Sequence, residues 1–363
     1  MLLSGIFPPI TTPFYPDGAV YYKKLEANVE RYSRTPVAGI VVQGSTGEAI
    51  LLSDQERRDV LKAALAAAAP NKVMIAGTGI ESAHETLRLT EHAAELGYDV
   101  AMVRTPHYYK KQMAGANLLA FYRTVADRSA LPIIIYNFPQ ATGYDIPAEV
   151  VIELAGHPNI IAIKESSGNL DKVKAMVEGT RHVKRQVTVT ETFEAVTPRM
   201  MKAAVAESEK QSRELVSVAS LAGSGEKADS GMKPSSSAVT VVGKLKTRQK
   251  EVGFQVMVGA AHQLEPSLGL GAVGAILAFA CPAPMACYEI FAALKDGDNA
   301  LAREKQERVK QAVQRVIGDM GVPGVKHAMD LNGYYGGPAR LPFLPLNSEQ
   351  KGEIEKLMAG IKS

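Results

Sequence analysis

Short apolar runs alternate along the chain with longer segments in which apolar residues recur every three or four positions. The runs Gly5–Thr12, Val37–Gln43, Lys72–Gly77, Asp99–Arg104, Leu131–Tyr136, Asn159–Lys164, Phe254–Gly259 and Val273–Phe279 predict eight strands. The segments between them predict helices. Ser53–Ala69 carries Ser53 as N-cap and Glu56 three residues on, a capping box, and Ser82–Leu96 repeats the helical period. Strand and helix taking turns is the pattern of βα units around a parallel sheet, and eight such units predict an α/β fold closed into a (β/α)8 TIM barrel. Three more helical patterns, Asn299–Ile317, Pro323–Asn332 and Ser348–Ile361, predict a C-terminal helical appendage. The organisation read from the chain is therefore a (β/α)8 barrel over 1–295 and a helical region over 296–363.

One segment breaks the rhythm. Between the sixth and seventh predicted strands, residues 181–253 make a connection far longer than such loops usually are. It holds a helical pattern at Glu191–Leu215, a Gly/Ser/Lys-rich stretch at Gly223–Ser237, and Val239–Val242. The composition predicts a flexible insert. Because it follows a helix and precedes a strand, it is expected on the barrel face opposite the strand C-termini, as a functionally neutral insertion.

Length and composition narrow the function classes. The chain has 363 residues, 46% of them hydrophobic, enough for a full core. Its net charge of +3 gives no broad field for nucleic acid or an anionic membrane. Two cysteines, Cys281 and Cys287, exclude a disulfide framework and a zinc cluster and suggest a reducing compartment. Met1–Pro9 has no signal-peptide or transit-peptide character, so the protein is expected in the cytoplasm.

Three places on this frame offer chemistry, and a fourth only in form. Lys164 closes a buried strand at the end where barrel enzymes keep reactive groups, and desolvation there favours a neutral, nucleophilic amine able to form an imine with a ketone. Tyr136 closes the preceding strand, so its phenol reaches toward the same mouth and could relay protons. Gly44-Ser-Thr-Gly-Glu48 follows the second strand with hydroxyls and backbone N–H groups suited to a carboxylate. Gly269-Leu-Gly-Ala-Val-Gly274 matches a dinucleotide fingerprint formally, but it leads into a strand instead of opening a helix, and is rejected. The histidines and carboxylates show no metal-ligand spacing.

Taken together, Gly44-Ser-Thr-Gly-Glu48, Thr105-Pro-His-Tyr-Tyr109, Tyr136-Asn-Phe-Pro139 with Thr142-Gly143, and Ile163-Lys-Glu165 resemble the dihydrodipicolinate synthase / N-acetylneuraminate lyase family of class I Schiff-base aldolases. The resemblance covers the chain outside the insert. It implies Lys164 as Schiff-base lysine, Tyr136 as proton relay, Ser45 and Thr46 as contacts to a pyruvyl carboxylate, and Gly259 and Ile276 as pocket lining. It also implies that Tyr108 enters the site of a neighbouring subunit, in a homo-oligomer that is commonly a tetramer. No cofactor is implied, because the lysine supplies the electron sink. In the synthases an arginine two residues beyond the Tyr-Asn-x-Pro proline clamps the aldehyde's carboxylate, whereas this chain has Ala141. That departure, with Pro106–Met113 and Gly321–Pro338, most resembles the 4-hydroxy-2-oxoglutarate aldolase branch. The expectation is cleavage of a 4-hydroxy-2-oxo acid to pyruvate and an aldehyde, with dihydrodipicolinate synthesis or a sugar-acid lyase as alternatives.

Overall fold

The computed structural model describes residues 1–219, 239–242 and 244–361. Each of the eight predicted apolar runs forms a strand: β1 (Gly5–Phe7), β2 (Gly39–Val42), β3 (Val73–Gly77), β4 (Val100–Arg104), β5 (Ile133–Asn137), β6 (Ile160–Glu165), β10 (Gln255–Val258) and β11 (Gly274–Ile276). They pair in parallel in the order β1-β11-β10-β6-β5-β4-β3-β2. The two ends of that row also meet, through Ala38 N–H to the Ile6 carbonyl at 2.9 Å and Val41 N–H to the Pro8 carbonyl at 3.0 Å. The sheet is a barrel.

Alternating side chains divide between two cores. Phe7, Val41, Ile75, Met102, Ile134, Ala162, Met257 and Ile276 fill the inside. Their neighbours, such as Ile6, Ile40, Met74, Ala101 and Ile135, pack outward under the helices. The capping box is present: Ser53 Oγ accepts the Glu56 N–H at 3.2 Å, and the Glu56 carboxylate accepts the Ser53 N–H at 2.9 Å. Two strands, β1 and β11, fall furthest short of their predicted runs. Pro8 and Pro9 lack the N–H that would extend β1, and after β11 the chain turns into a tight helical turn at Ala278–Ala280. The C-terminal region forms helices at Asn299–Ala312, Gly321–Leu331 and Ser348–Met358, with a wide π-helical stretch at Val313–Asp319 where a straight helix to Ile317 was expected.

The inserted segment is more regular than its composition suggested. β7 (Arg185–Thr190), β8 (Thr240–Val242) and β9 (Leu245–Val252) form an antiparallel sheet in the order β7-β9-β8. A helix spans Pro198–Ala219, starting later than the predicted Glu191 because the chain first reverses, with Thr190 N–H on the Glu194 carbonyl and Phe193 at φ 64°. The Gly/Ser/Lys-rich stretch Gly223–Ser237 lies outside the described residues. Thr197 donates to the Pro70 carbonyl at 2.6 Å, and the Arg199 guanidinium reaches the Ala69 and Lys72 carbonyls and Asp99. All of these precede β3 or β4, so the insert sits on the end of the barrel away from the strand C-termini.

Arg185 and Val252 are ladder partners, which brings the two ends of the segment side by side. Deleting Lys184–Glu251 with a short linker is therefore expected to leave a folded barrel that still forms an imine at Lys164. The same deletion uncovers Leu2, which packs with Val187 and Val189, so a lower melting temperature is expected. Mass spectrometry after borohydride trapping checks the first point. A folded variant without the adduct would show that the insert reaches the site.

Candidate active site

Ladder register brings the chemistry together. Tyr136 on β5 is the direct partner of Lys164 on β6, and Arg104 on β4 is the direct partner of Tyr136, so the three lie side by side at the C-terminal ends of neighbouring strands. Lys164 is 4% exposed, and its Nζ stands 4.1 Å from the centroid of the Tyr136 ring. The Tyr136 hydroxyl lies 3.1 Å from Ser45 Oγ. An amine, a phenol and a hydroxyl thus form one contiguous line. Thr46, nearly buried, follows Ser45 in the same turn.

Gly259, just past β10, makes room for the lysine. A Cβ there would stand 2.0 Å from Ser166 Oγ and 3.2 Å from Lys164 Cε, so any larger residue would collide with Ser166 and crowd the side chain that carries the amine. Ile276 is fully buried in the interior core of the barrel. Above these residues a cavity of about 310 Å³ opens, bordered by Ser45, Thr46, Arg104, Phe138, Ala141 and Val325. A narrow cleft of about 20 Å³ runs from Ser45 past Tyr136, room for about one water.

Tyr108 is the expected site residue that a single chain does not bring to this line. It is 76% exposed, edge-on to the exposed Tyr109, on a rim loop whose His107 and Tyr108 N–H groups both bind the Glu81 carboxylate. The rejected dinucleotide fingerprint spans the end of a short helix, Leu264–Gly269, and the start of β11, with no helix N-terminus behind it.

A model of the dihydrodipicolinate synthetase family matches residues 2–208 and 226–361. The chain belongs to that family. A 4-hydroxy-tetrahydrodipicolinate synthase of Methanothrix thermoacetophila is 29% identical over 357 residues, 98% of this chain and 96% of its own length. One from Xanthomonas axonopodis pv. citri is 44% identical over 177 residues, 49% of this chain and 58% of its own. Among solved structures, dihydrodipicolinate synthase of Aquifex aeolicus overlays with a TM-score of 0.73 at 26% identity, covering 99% of this chain and 98% of its own. YagE of E. coli K12, a prophage protein of the same family solved in complex with pyruvate, gives 0.74 at 25% identity and covers 99% of both chains. As a member of the dihydrodipicolinate synthetase family the chain is an enzyme, a carbon–carbon lyase of class I aldolase type. The relatives quoted carry the synthase name, which gives no support to the 4-hydroxy-2-oxoglutarate aldolase branch expected from Ala141. No helix among the described residues is long and apolar enough to cross a membrane.

In this family member the Ser45–Thr46 turn is held from the far end of the sequence. Glu48, in the left-handed region at φ 55°, is buried and paired with the buried Lys326. Lys326 also donates to the Thr12 carbonyl at 2.9 Å and the Pro338 carbonyl at 2.8 Å, and it lies over the Phe14 ring. Burial pulls the Lys326 ammonium down from its ordinary pKa while Glu48 pushes it back up. The second Glu48 oxygen accepts the Arg340 N–H at 2.7 Å, and the Arg340 guanidinium grips Glu56, holding that carboxyl down at about 2. Breaking a buried pair by removing one partner typically costs about 3–5 kcal/mol, because the other charge stays in low dielectric. One C-terminal helix, through Lys326, and the loop that follows it, through Arg340, therefore clamp the turn that presents Ser45 and Thr46.

A second network steadies the strand ends. Asn137, next to Tyr136, donates to Glu165, next to Lys164, at 2.9 Å and to Asp145 at 2.7 Å, while Lys172 pairs with Glu165 at 3.2 Å. Sequence reasoning passed over Glu48, Lys326, Arg340 and Glu165. Glu165 ends the apolar run of the sixth strand, and an acidic residue there was the available signal, whereas Glu48 follows the polar turn Gly44–Gly47 and offers none.

Proposed function

We propose that this protein forms a Schiff base between Lys164 and pyruvate and uses it to make or break a carbon–carbon bond to an aldehyde that carries a carboxylate. The observation that carries the reading is the contiguous line of Lys164, Tyr136 and Ser45 at the strand ends. Pyruvate in the related YagE structure supports it.

The Lys164 amine attacks the C2 ketone, and Tyr136 passes protons as water leaves. Ser45, Thr46 and the N–H groups of their turn hold the C1 carboxylate, while Gly259 and Ile276 line the pyruvyl pocket. Loss of a proton from the pyruvyl methyl group gives an enamine, as the electron pair of the breaking C–H bond moves into the iminium. The enamine carbon attacks the aldehyde, the alkoxide takes a proton, and hydrolysis frees Lys164. Cleavage is the same sequence in reverse. The lysine is the electron sink, so the steps call for no cofactor.

The names of the relatives favour aspartate semialdehyde as the aldehyde, the synthase reaction. Ala141 favours a second reading, cleavage of 4-hydroxy-2-oxoglutarate to pyruvate and glyoxylate. Side-by-side kcat/KM values on one preparation decide, with the semialdehyde expected to be the better substrate. A preference for 4-hydroxy-2-oxoglutarate selects the second reading, and no turnover of either, with no trapped imine, overturns the proposal. The exposed Tyr108 and Tyr109 on the rim support a homo-oligomer in which this loop meets a second copy.

A further inference from the structure

We propose that Arg104 is the binding group for the carboxylate of the aldehyde half, and so sets substrate class. The inference rests on the pyruvate-aldehyde reading above and adds a residue to it. Arg104 continues the inward-facing series Val100, Met102 on β4, whose first two members sit in the barrel interior, and it is the ladder partner of Tyr136. It therefore projects a guanidinium into the layer that holds Tyr136 and Lys164. It borders both the 310 Å³ cavity and the narrow cleft, together with Ser45. Ala141 borders the same cavity and adds no charge to it, while Glu48, which also borders it, is already paired with Lys326.

The guanidinium is incompletely partnered. Among the described residues its buried Nε has no hydrogen-bond partner, and its one ion pair is an Nη2 contact of 3.4 Å to Glu81. Glu81 is already occupied by the His107 ring at 2.6 Å and by the N–H groups of His107 and Tyr108. A second guanidinium, Arg57, borders the cleft too, and its pKa is lowered by burial and then by the positive charge of Arg104. Like charges placed together beside a cavity, with one donor edge unsatisfied, fit an anion as ligand. The backbone is shaped for this approach: a Cβ on Gly79 would fall 2.2 Å from Arg104 N, so only glycine lets the third strand's end lie against Arg104. The planar fork suits a carboxylate bidentately.

The test uses the full chain with pyruvate and two small aldehydes of similar size, glyoxylate and the uncharged glycolaldehyde. In the wild type, kcat/KM for glyoxylate is expected to exceed that for glycolaldehyde about tenfold or more, and to fall as salt rises. Arg104→Gln is expected to lose about ten- to hundredfold more with glyoxylate than with glycolaldehyde, and to keep the borohydride-trapped pyruvyl adduct. Ala141→Arg in that background should restore much of the loss. Equal losses with both aldehydes, or none, overturn the role of Arg104. If Arg104→Gln does not fold, the wild-type ratio decides, and a ratio near one overturns it. Absence of the adduct in the wild type overturns the Schiff-base reading instead.

Discussion

Borohydride added together with pyruvate is expected to inactivate the protein irreversibly and leave one reduced pyruvyl group on Lys164. Only an imine is reducible in this way, so the adduct reports nucleophilic attack by an amine. The little-exposed lysines separate by what holds them. Lys326 is locked to Glu48 and two carbonyls, Lys172 to Asp145 and Glu165, and Lys72 donates to the carbonyls of Thr35 and Val37. Lys164 instead faces the ring of Tyr136, with Gly259 leaving its side chain unobstructed. Peptide mapping is expected to find the label there. Lys164→Arg should keep the barrel and abolish turnover, since a guanidinium stays protonated and cannot attack a ketone. A label on Lys172 or Lys326, or none at all, would sink the mechanism.

The barrel was legible because each strand announces itself locally. A parallel strand buried on both faces reads as a short apolar run, and helices between runs read by their period. Lys164 and Tyr136 were legible for the same reason, since a polar residue closing such a run has a fixed position at the strand end. What stayed hidden depends on partners distant in sequence. Lys326 reads as an ordinary helix residue until Glu48 is seen against it, and Arg340 as loop until it reaches Glu56. The insert was misread where its strands are polar: β9, Leu-Lys-Thr-Arg-Gln-Lys-Glu-Val, buries only one of its residues, Thr247, and so lacks the apolar alternation that marks a strand. Arg104 reads in the sequence only as the end of the fourth strand, and its register beside Tyr136 is what gives its guanidinium a place in the site.

Tyr136→Phe is expected to slow turnover by roughly two to four orders of magnitude, the usual size of a positioned acid–base group. The substitution removes one oxygen and leaves the ring, so the contact with Lys164 at 4.1 Å and the packing of the buried side chain persist. Stability is therefore expected to change by no more than about 1 kcal/mol, the net worth of the single hydrogen bond to Ser45. KM for pyruvate should move little, because the Ser45–Thr46 turn is held by Glu48 and the C-terminal clamp rather than by the phenol. The burden falls on proton transfer, visible as slow imine formation in single-turnover trapping. Ser45→Ala should slow the same step less, because a water can occupy the narrow cleft beside the phenol. The double variant should be little slower than Tyr136→Phe alone, as groups acting in one relay are not additive. Full additivity would place the two hydroxyls in separate steps, and a near wild-type rate for Tyr136→Phe would leave the phenol a packing residue only.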